Sequence, residues 1–136
     1  METKMKKQLG NFIQEADWKT EKHVPVIDCP DDVEKDTMFD VHVGLGKEIA
    51  HPNTTEHHIR WIDLYFHPDG EKYPYQIGHY EFSAHGASVD GADTSTVYTH
   101  HSVTSSFKTN KPGTIHAVAL CNIHGLWQSS KQITVK

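Results

Sequence analysis

Cys121 and His124 stand three residues apart in the run Cys121-Asn122-Ile123-His124-Gly125-Leu126-Trp127. An alternating segment ends at Cys121, so the pair sits where a strand gives way to a turn. From one such loop a thiolate and an imidazole can reach a single ion. The competing reading is a buried small hydrophobe beside a surface ring, because free cysteine is among the most buried residue types. His51 and His57 lie six apart in His51-Pro52-Asn53-Thr54-Thr55-Glu56-His57-His58. Pro52 and Thr54-Thr55 mark a turn there, which can fold both rings back on one centre. If His57-His58 is extended, its side chains point to opposite faces, so at most one of them faces that centre. His23 stands in Glu21-Lys22-His23-Val24-Pro25, whose charged pair reads by itself as solvated surface. For each histidine taken alone, a solvated or hydrogen-bonded ring is the commoner state.

Together these segments offer one soft thiolate and three or four imidazoles. Structural zinc takes four ligands in a tetrahedron, and four histidines with a cysteine are one too many. Five protein ligands suit an ion that accepts six and keeps one position open. The mixture of imidazole and thiolate suits iron or copper. Cys29 and Cys121 are the only cysteines and no C-x-x-C occurs, which excludes a four-cysteine iron site or zinc ribbon. A disulfide between the two is not expected in a reducing compartment.

The elements that must position these residues read as β-strands. Met38–Val43 alternates, with Phe39, Val41 and Val43 on one face and Met38, Asp40 and His42 on the other. Ile59–Phe66 is dense in β-branched and aromatic residues and reads as buried on both faces. It stops at the turn cluster His67-Pro68-Asp69-Gly70. Tyr75–Ala84, Val97–Thr99 and Val103–Lys108 are further strand candidates, and Gly86–Ser95 is a loop. Thr114–Cys121 alternates, with Ile115, Ala117, Ala119 and Cys121 facing one way. Gln132–Val135 closes the chain. The pattern predicts an all-β fold, an immunoglobulin-like antiparallel β-sandwich of about seven strands. Before it runs a short helical or irregular extension over 1–20, where Leu9, Phe12 and Ile13 have rough helical spacing.

The chain has 136 residues, 13 Lys+Arg and 18 Asp+Glu, a net charge of −5 with histidine neutral. That length predicts one domain over 1–136. The mild acidity argues against nucleic-acid binding. No apolar run approaches the roughly 20 residues of a membrane span. The lysine-rich start, Met1 to Gly10, has no apolar h-region after it, so a cytoplasmic location is expected.

Three motifs occur in order: Glu21-Lys22-His23-x-Pro25, His51-Pro52-x-x-x-Glu56-His57-His58-Ile59, and Cys121-Asn122-x-His124-Gly125-Leu126-Trp127. With them the chain, from about Glu21 onward, resembles the superoxide reductases of the one-iron, neelaredoxin-like class, related to the catalytic domain of desulfoferrodoxin. The resemblance implies one non-haem iron held by His23, His51, His57 and His124 in a plane, with Cys121 as the axial thiolate. Glu21 matches the carboxylate that takes the sixth position in the ferric state, and Lys22 matches the cation beside the open site. It implies one-electron reduction of superoxide to hydrogen peroxide, a rubredoxin-like external electron donor, and a homotetramer. His42 and Cys29 match no motif position. The alternative from another class is a type 1 copper electron-transfer protein. Such a protein needs a weak axial methionine, and none of Met1, Met5 and Met38 follows His124.

Overall fold

The computed structural model describes residues 7–136. Eight strands form: β1 (Val26–Asp28), β2 (Asp32–Val33), β3 (Phe39–Gly44), β4 (Ile59–Pro68), β5 (Tyr75–Glu81), β6 (Ser102–Phe107), β7 (Gly113–Cys121) and β8 (Gly125–Val135). They make a three-stranded sheet ordered β1-β3-β6 and a five-stranded sheet ordered β2-β8-β7-β4-β5. Alternation explains why the two sheets pack as a sandwich. Val41 and Val43 point inward from β3, Ile62, Leu64 and Phe66 from β4, and Ile115, Ala117, Ala119 and Cys121 from β7. Small Ala117 and Ala119 lie opposite bulky Leu64 and Ile62 in the ladder, which lets the inner layer interdigitate. Tyr80 Oη donates to Ser105 Oγ at 2.7 Å, joining β5 of one sheet to β6 of the other.

Several expectations change. The fold is an all-β sandwich as predicted, with eight strands, and one pair, β2 with β8, runs parallel. Strands β1 and β2 are too short for period-2 patterning to reveal. Val97–Thr99 is not a strand: only an isolated bridge joins His85 and Tyr98. The last strand starts at Gly125 and not at Gln132, because its polar residues pair with all of β7. Ile59–Phe66 buries one face alone; Trp61, Asp63 and Tyr65 on the other are half-exposed. Of the helical or irregular alternatives for the extension, the described part is irregular, with a 3-10 turn at Leu9–Asn11 and with Leu9 and Phe12 exposed. Gln14 instead bridges to the β8 edge through backbone bonds with Leu126 and Gln128.

One irregularity sets up the site. The pairing of β4 with β7 shifts register between Ile59 and Trp61. Strict alternation would send Ile59 and Ile62 to opposite faces; the bulge lets both sit in the core, at 1% and 0% exposure. The segment just before the bulge, His57-His58, therefore leaves the sheet beside the end of β7.

Candidate metal centre

Three segments meet at that end of the sandwich. The β7–β8 hairpin brings Cys121 and His124. Cys121 is the last residue of β7 and pairs with Gly125, so Asn122–His124 is a three-residue loop. Gly125 has φ +77°, the left-handed value that this hairpin type needs at its closing position. The loop between β3 and β4 brings His51 and His57. Gly46 in that loop has φ +81°, and a Cβ there would lie 2.8 Å from His51 N. The missing side chain is what lets His51 pack so closely. The turn before β1 brings His23.

The donor atoms converge. One ligand atom from each of His23, His51, His57 and Cys121 lies within 4.8 Å of every other. His124 joins them through Nδ1, 3.1 Å from His23 Nε2, 3.2 Å from His57 Nε2 and 3.6 Å from Cys121 Sγ. Metal–imidazole bonds of about 2.1 Å put ligands at right angles about 3.0 Å apart, so these spacings match edges of one coordination polyhedron. His51 supplies the sharpest test of fit. Its Nδ1–H donates to Pro52 O at 2.7 Å, so Nε2 carries the lone pair. That Nε2 is buried with no hydrogen-bond partner. A buried polar atom left alone costs about 1–3 kcal/mol, a cost that a metal bond removes. The donor set of imidazoles with one thiolate fits iron or copper chemistry. Met38, the one methionine among the described residues, is exposed and outside this group.

Burial favours the neutral form of His51 and His57. Burial pushes His51 from 6.5 down to about 4, against a raising pull from the Pro52 carbonyl, with His57, His23 and His101 lowering it further. Burial also lowers His57, helped by His124, His23 and the charge of Lys22. Lys22 thus sits close enough to act on the centre, and it forms no ion pair among the described residues. His124 is exposed, so the centre opens to solvent on the hairpin side.

Glu21 is engaged with His23. Its Oε1 accepts from both His23 N, at 3.1 Å, and His23 Nδ1, at 2.6 Å. Burial raises the Glu21 carboxyl, but the His23 bonds outweigh it and hold the group below the usual carboxylate value. A carboxylate on Nδ1–H fixes the tautomer and turns Nε2 toward the centre. Trp127 stacks on the His23 ring at 5.0 Å and 18° and donates its Nε1–H to His124 O.

The remaining histidines separate. His58 turns away, donating Nδ1–H to Thr54 O and stacking on His85 at 3.6 Å. His42 is an exposed β3 residue in contact with Thr104 Oγ1. His101, buried behind His51 with ring centroids 5.6 Å apart, was not foreseen from sequence. Trp127 and Asn122 lie inside the Cys121–Trp127 motif, where spacing gives them no role, and nothing in the sequence points to His85 or His101. Cys29 is half-buried and free.

A β-sandwich with four histidines and a cysteine converged at one end is an all-β protein with a candidate metal centre. The family model described as desulfoferrodoxin matches residues 15–130. The chain belongs to the desulfoferrodoxin family. It is 56% identical over 129 residues to the neelaredoxin of Megalodesulfovibrio gigas, covering 95% of this chain and 99% of that one. It is 54% identical over 121 residues to the superoxide reductase of Pyrococcus furiosus, covering 89% and 95%. The solved superoxide reductase (neelaredoxin) of Archaeoglobus fulgidus in its reduced form superposes with a TM-score of 0.84 at 52% identity, covering 90% of this chain and 98% of that one.

Proposed function

We propose that this chain is a superoxide reductase, passing one electron to superoxide, which two protons then complete to hydrogen peroxide. The observation that carries the reading is the convergence of the donor atoms with His51 Nε2 buried and unpartnered among them. Relatives over nearly the whole chain bear that enzyme name. The residues that would hold one iron per chain are His23, His51, His57 and His124 through their imidazoles and Cys121 through its thiolate. Bound there, iron would supply the electron and take another from outside.

The chain's own residues set the conditions. Burial keeps the His51 proton on Nδ1 and off Nε2. Glu21 holds the His23 proton at Nδ1, which leaves Nε2 as a donor. The His124 backbone N–H approaches Cys121 Sγ at 3.4 Å and draws on its electron density. Lys22 provides positive charge at the mouth for an anionic substrate. The chain's net charge of −5 opposes this weakly, since distant charges are screened beyond about 8 Å at physiological salt. Local focusing of this kind raises on-rates about 10-fold or more. Glu21 would be a further carboxylate ligand of the oxidised centre, and to reach it the carboxylate would have to let go of His23 Nδ1–H.

The two cysteines leave no four-cysteine set in this sequence, so the electron comes from a separate donor of the rubredoxin type. The exposed His124 and Ile123, the latter 57% exposed, give such a donor close approach. No helix among the described residues is long and apolar enough to cross a membrane, and the proposed location is the cytoplasm. The reading includes one domain over 1–136, with 1–20 as its extension, and assembly as a homotetramer. The bond pair from Gln14 to β8 supports counting the extension with the sandwich.

Anaerobic loading with ferrous iron tests the proposal. One iron per chain and a blue ferric–thiolate band after oxidation are expected. With a reduced donor, each superoxide should yield one hydrogen peroxide and no dioxygen. Half that yield with dioxygen release would make the chain a dismutase and overturn the reading.

A further inference from the structure

The segment carrying His57 and the hairpin carrying Cys121 and His124 are held together in an unusual way. The regular ladder of β4 with β7 ends at the pair Ile59 and Cys121. Beyond it the hairpin loop turns back into β8, so the backbone of β7 no longer faces His58 and Glu56. Three hydrogen bonds nonetheless continue across the gap, and all three belong to Asn122. Its backbone N–H donates to His58 O at 3.1 Å. Its side-chain Oδ1 accepts from His58 N–H at 2.9 Å. Its side-chain Nδ2 donates to Glu56 O at 2.8 Å. Among the described residues the other hydrogen-bond contact between 51–58 and 121–125 is the ring contact of His57 with His124 itself.

A carboxamide is the side-chain copy of a peptide group, with one carbonyl and an N–H donor held in one plane. We infer that Asn122 is a positioning residue which uses its amide as a substitute peptide, adding one rung to the β4–β7 ladder after the chain has turned away. That rung sets the distance of His57 from Cys121 and His124. The inference rests on the proposed iron ligation and adds to it a residue that touches none of the donor atoms.

The His57 side already has its own local lock, which makes the contribution of Asn122 separable. Thr54 closes a turn on His57: Thr54 N donates to His57 O at 2.9 Å, and His57 N donates to Thr54 Oγ1 at 3.0 Å. His58 Nδ1 holds Thr54 O, and His85 stacks on the His58 ring. These contacts keep the shape of the turn. None of them ties the turn to the hairpin. Loss of the Asn122 side-chain amide would therefore leave two intact halves joined there by the single backbone bond from Asn122 N–H to His58 O, so the centre should loosen more than the fold does.

The test measures uptake and release of ferrous iron by the full-length chain under anaerobic conditions, with the melting temperature of the metal-free chain alongside. Asn122→Ala should bind iron about 10-fold to 100-fold more weakly, the usual effect of losing an outer-shell partner, and should shift the ferric–thiolate band. Asn122→Asp keeps the acceptor for His58 N–H and loses the donor to Glu56 O, so it should fall between. A cycle with His57→Ala isolates the route: once His57 is gone, Asn122→Ala should change iron affinity less than twofold. Equal affinity and an unmoved band in both Asn122 variants would overturn the inference. So would an undiminished effect of Asn122→Ala in the His57→Ala background. If Asn122→Ala does not fold, Asn122→Asp decides alone through affinity and band. Failure of the unaltered chain to hold iron would overturn the proposed function itself, so the two failures are distinguishable.

Discussion

His51 makes the metal-free chain sensitive to acid in a definite window. Its ring titrates at 6.5 when exposed and is pushed down to about 4 by burial in the folded chain. As pH falls below 6.5 the unfolded chain takes up a proton that the folded chain refuses, so unfolding becomes easier. This stability is fully present above about pH 6.5 and is lost as pH falls through about 4. At about 1.4 kcal/mol per tenfold, the span from 6.5 to about 4 is worth at most about 3 kcal/mol. Because the centre opens to solvent at His124, about 2 kcal/mol is the working figure. His101, lowered to about 4 by the same cause, adds a similar loss in the same window. The assay is urea unfolding of the metal-free chain at intervals from pH 7.5 to 4. The unaltered chain should lose roughly 4 kcal/mol, and His51→Leu roughly half of that. Leucine loses the bond to Pro52 O but also removes the buried lone Nε2. At pH 7.5 the two effects, each about 1 to 3 kcal/mol, should nearly cancel. A His51→Leu profile parallel to that of the unaltered chain would refute the reasoning, because the pH dependence would then arise elsewhere.

Three further outcomes are expected. Lys22→Ala should slow the second-order reaction with superoxide and flatten its dependence on ionic strength, measured by pulse radiolysis; an unchanged rate and slope would remove Lys22 from the site. Cys121→Ser should abolish the blue ferric–thiolate absorption, and its persistence would show that another group supplies the charge-transfer donor. Gly46→Ala places a Cβ 2.8 Å from His51 N at φ +81°, costing about 1–2 kcal/mol of backbone strain alone. It should lower the urea midpoint and speed iron release; iron retention equal to that of the unaltered chain would show that His51 does not depend on this approach.

Much of the sandwich is legible along the chain because a half-buried strand repeats every two residues. Phe39, Val41 and Val43, and later Ile115, Ala117, Ala119 and Cys121, mark their own inward face, and each lies there. The candidate ligands are legible for a different reason: a metal centre concentrates rare residue types at short spacings, as in Cys121-x-x-His124. What failed was what depends on a neighbour far away in sequence. Ile59–Phe66 looked buried on both sides, since apolar content alone does not tell a covered face from a half-exposed one. Polar residues 125–131 hid the start of β8, because pairing with β7 and not apolarity makes them a strand.

Residue types and local periodicity by themselves determined the all-β class, most of the strands, and three segments whose thiolate and three or four imidazoles could share an ion; the family motifs then singled out five side chains. Tertiary structure alone decided how those five are aimed. The bulge between Ile59 and Trp61, the Glu21 bond that turns the His23 ring, and the Asn122 amide that ties His57 to the hairpin each depend on pairing or packing that strand patterning does not record. The physical reason is that ligand identity is a property of one side chain. Ligand orientation is a property of hydrogen bonds between residues as far apart as His58 and Asn122, and those exist only once the chain has closed on itself.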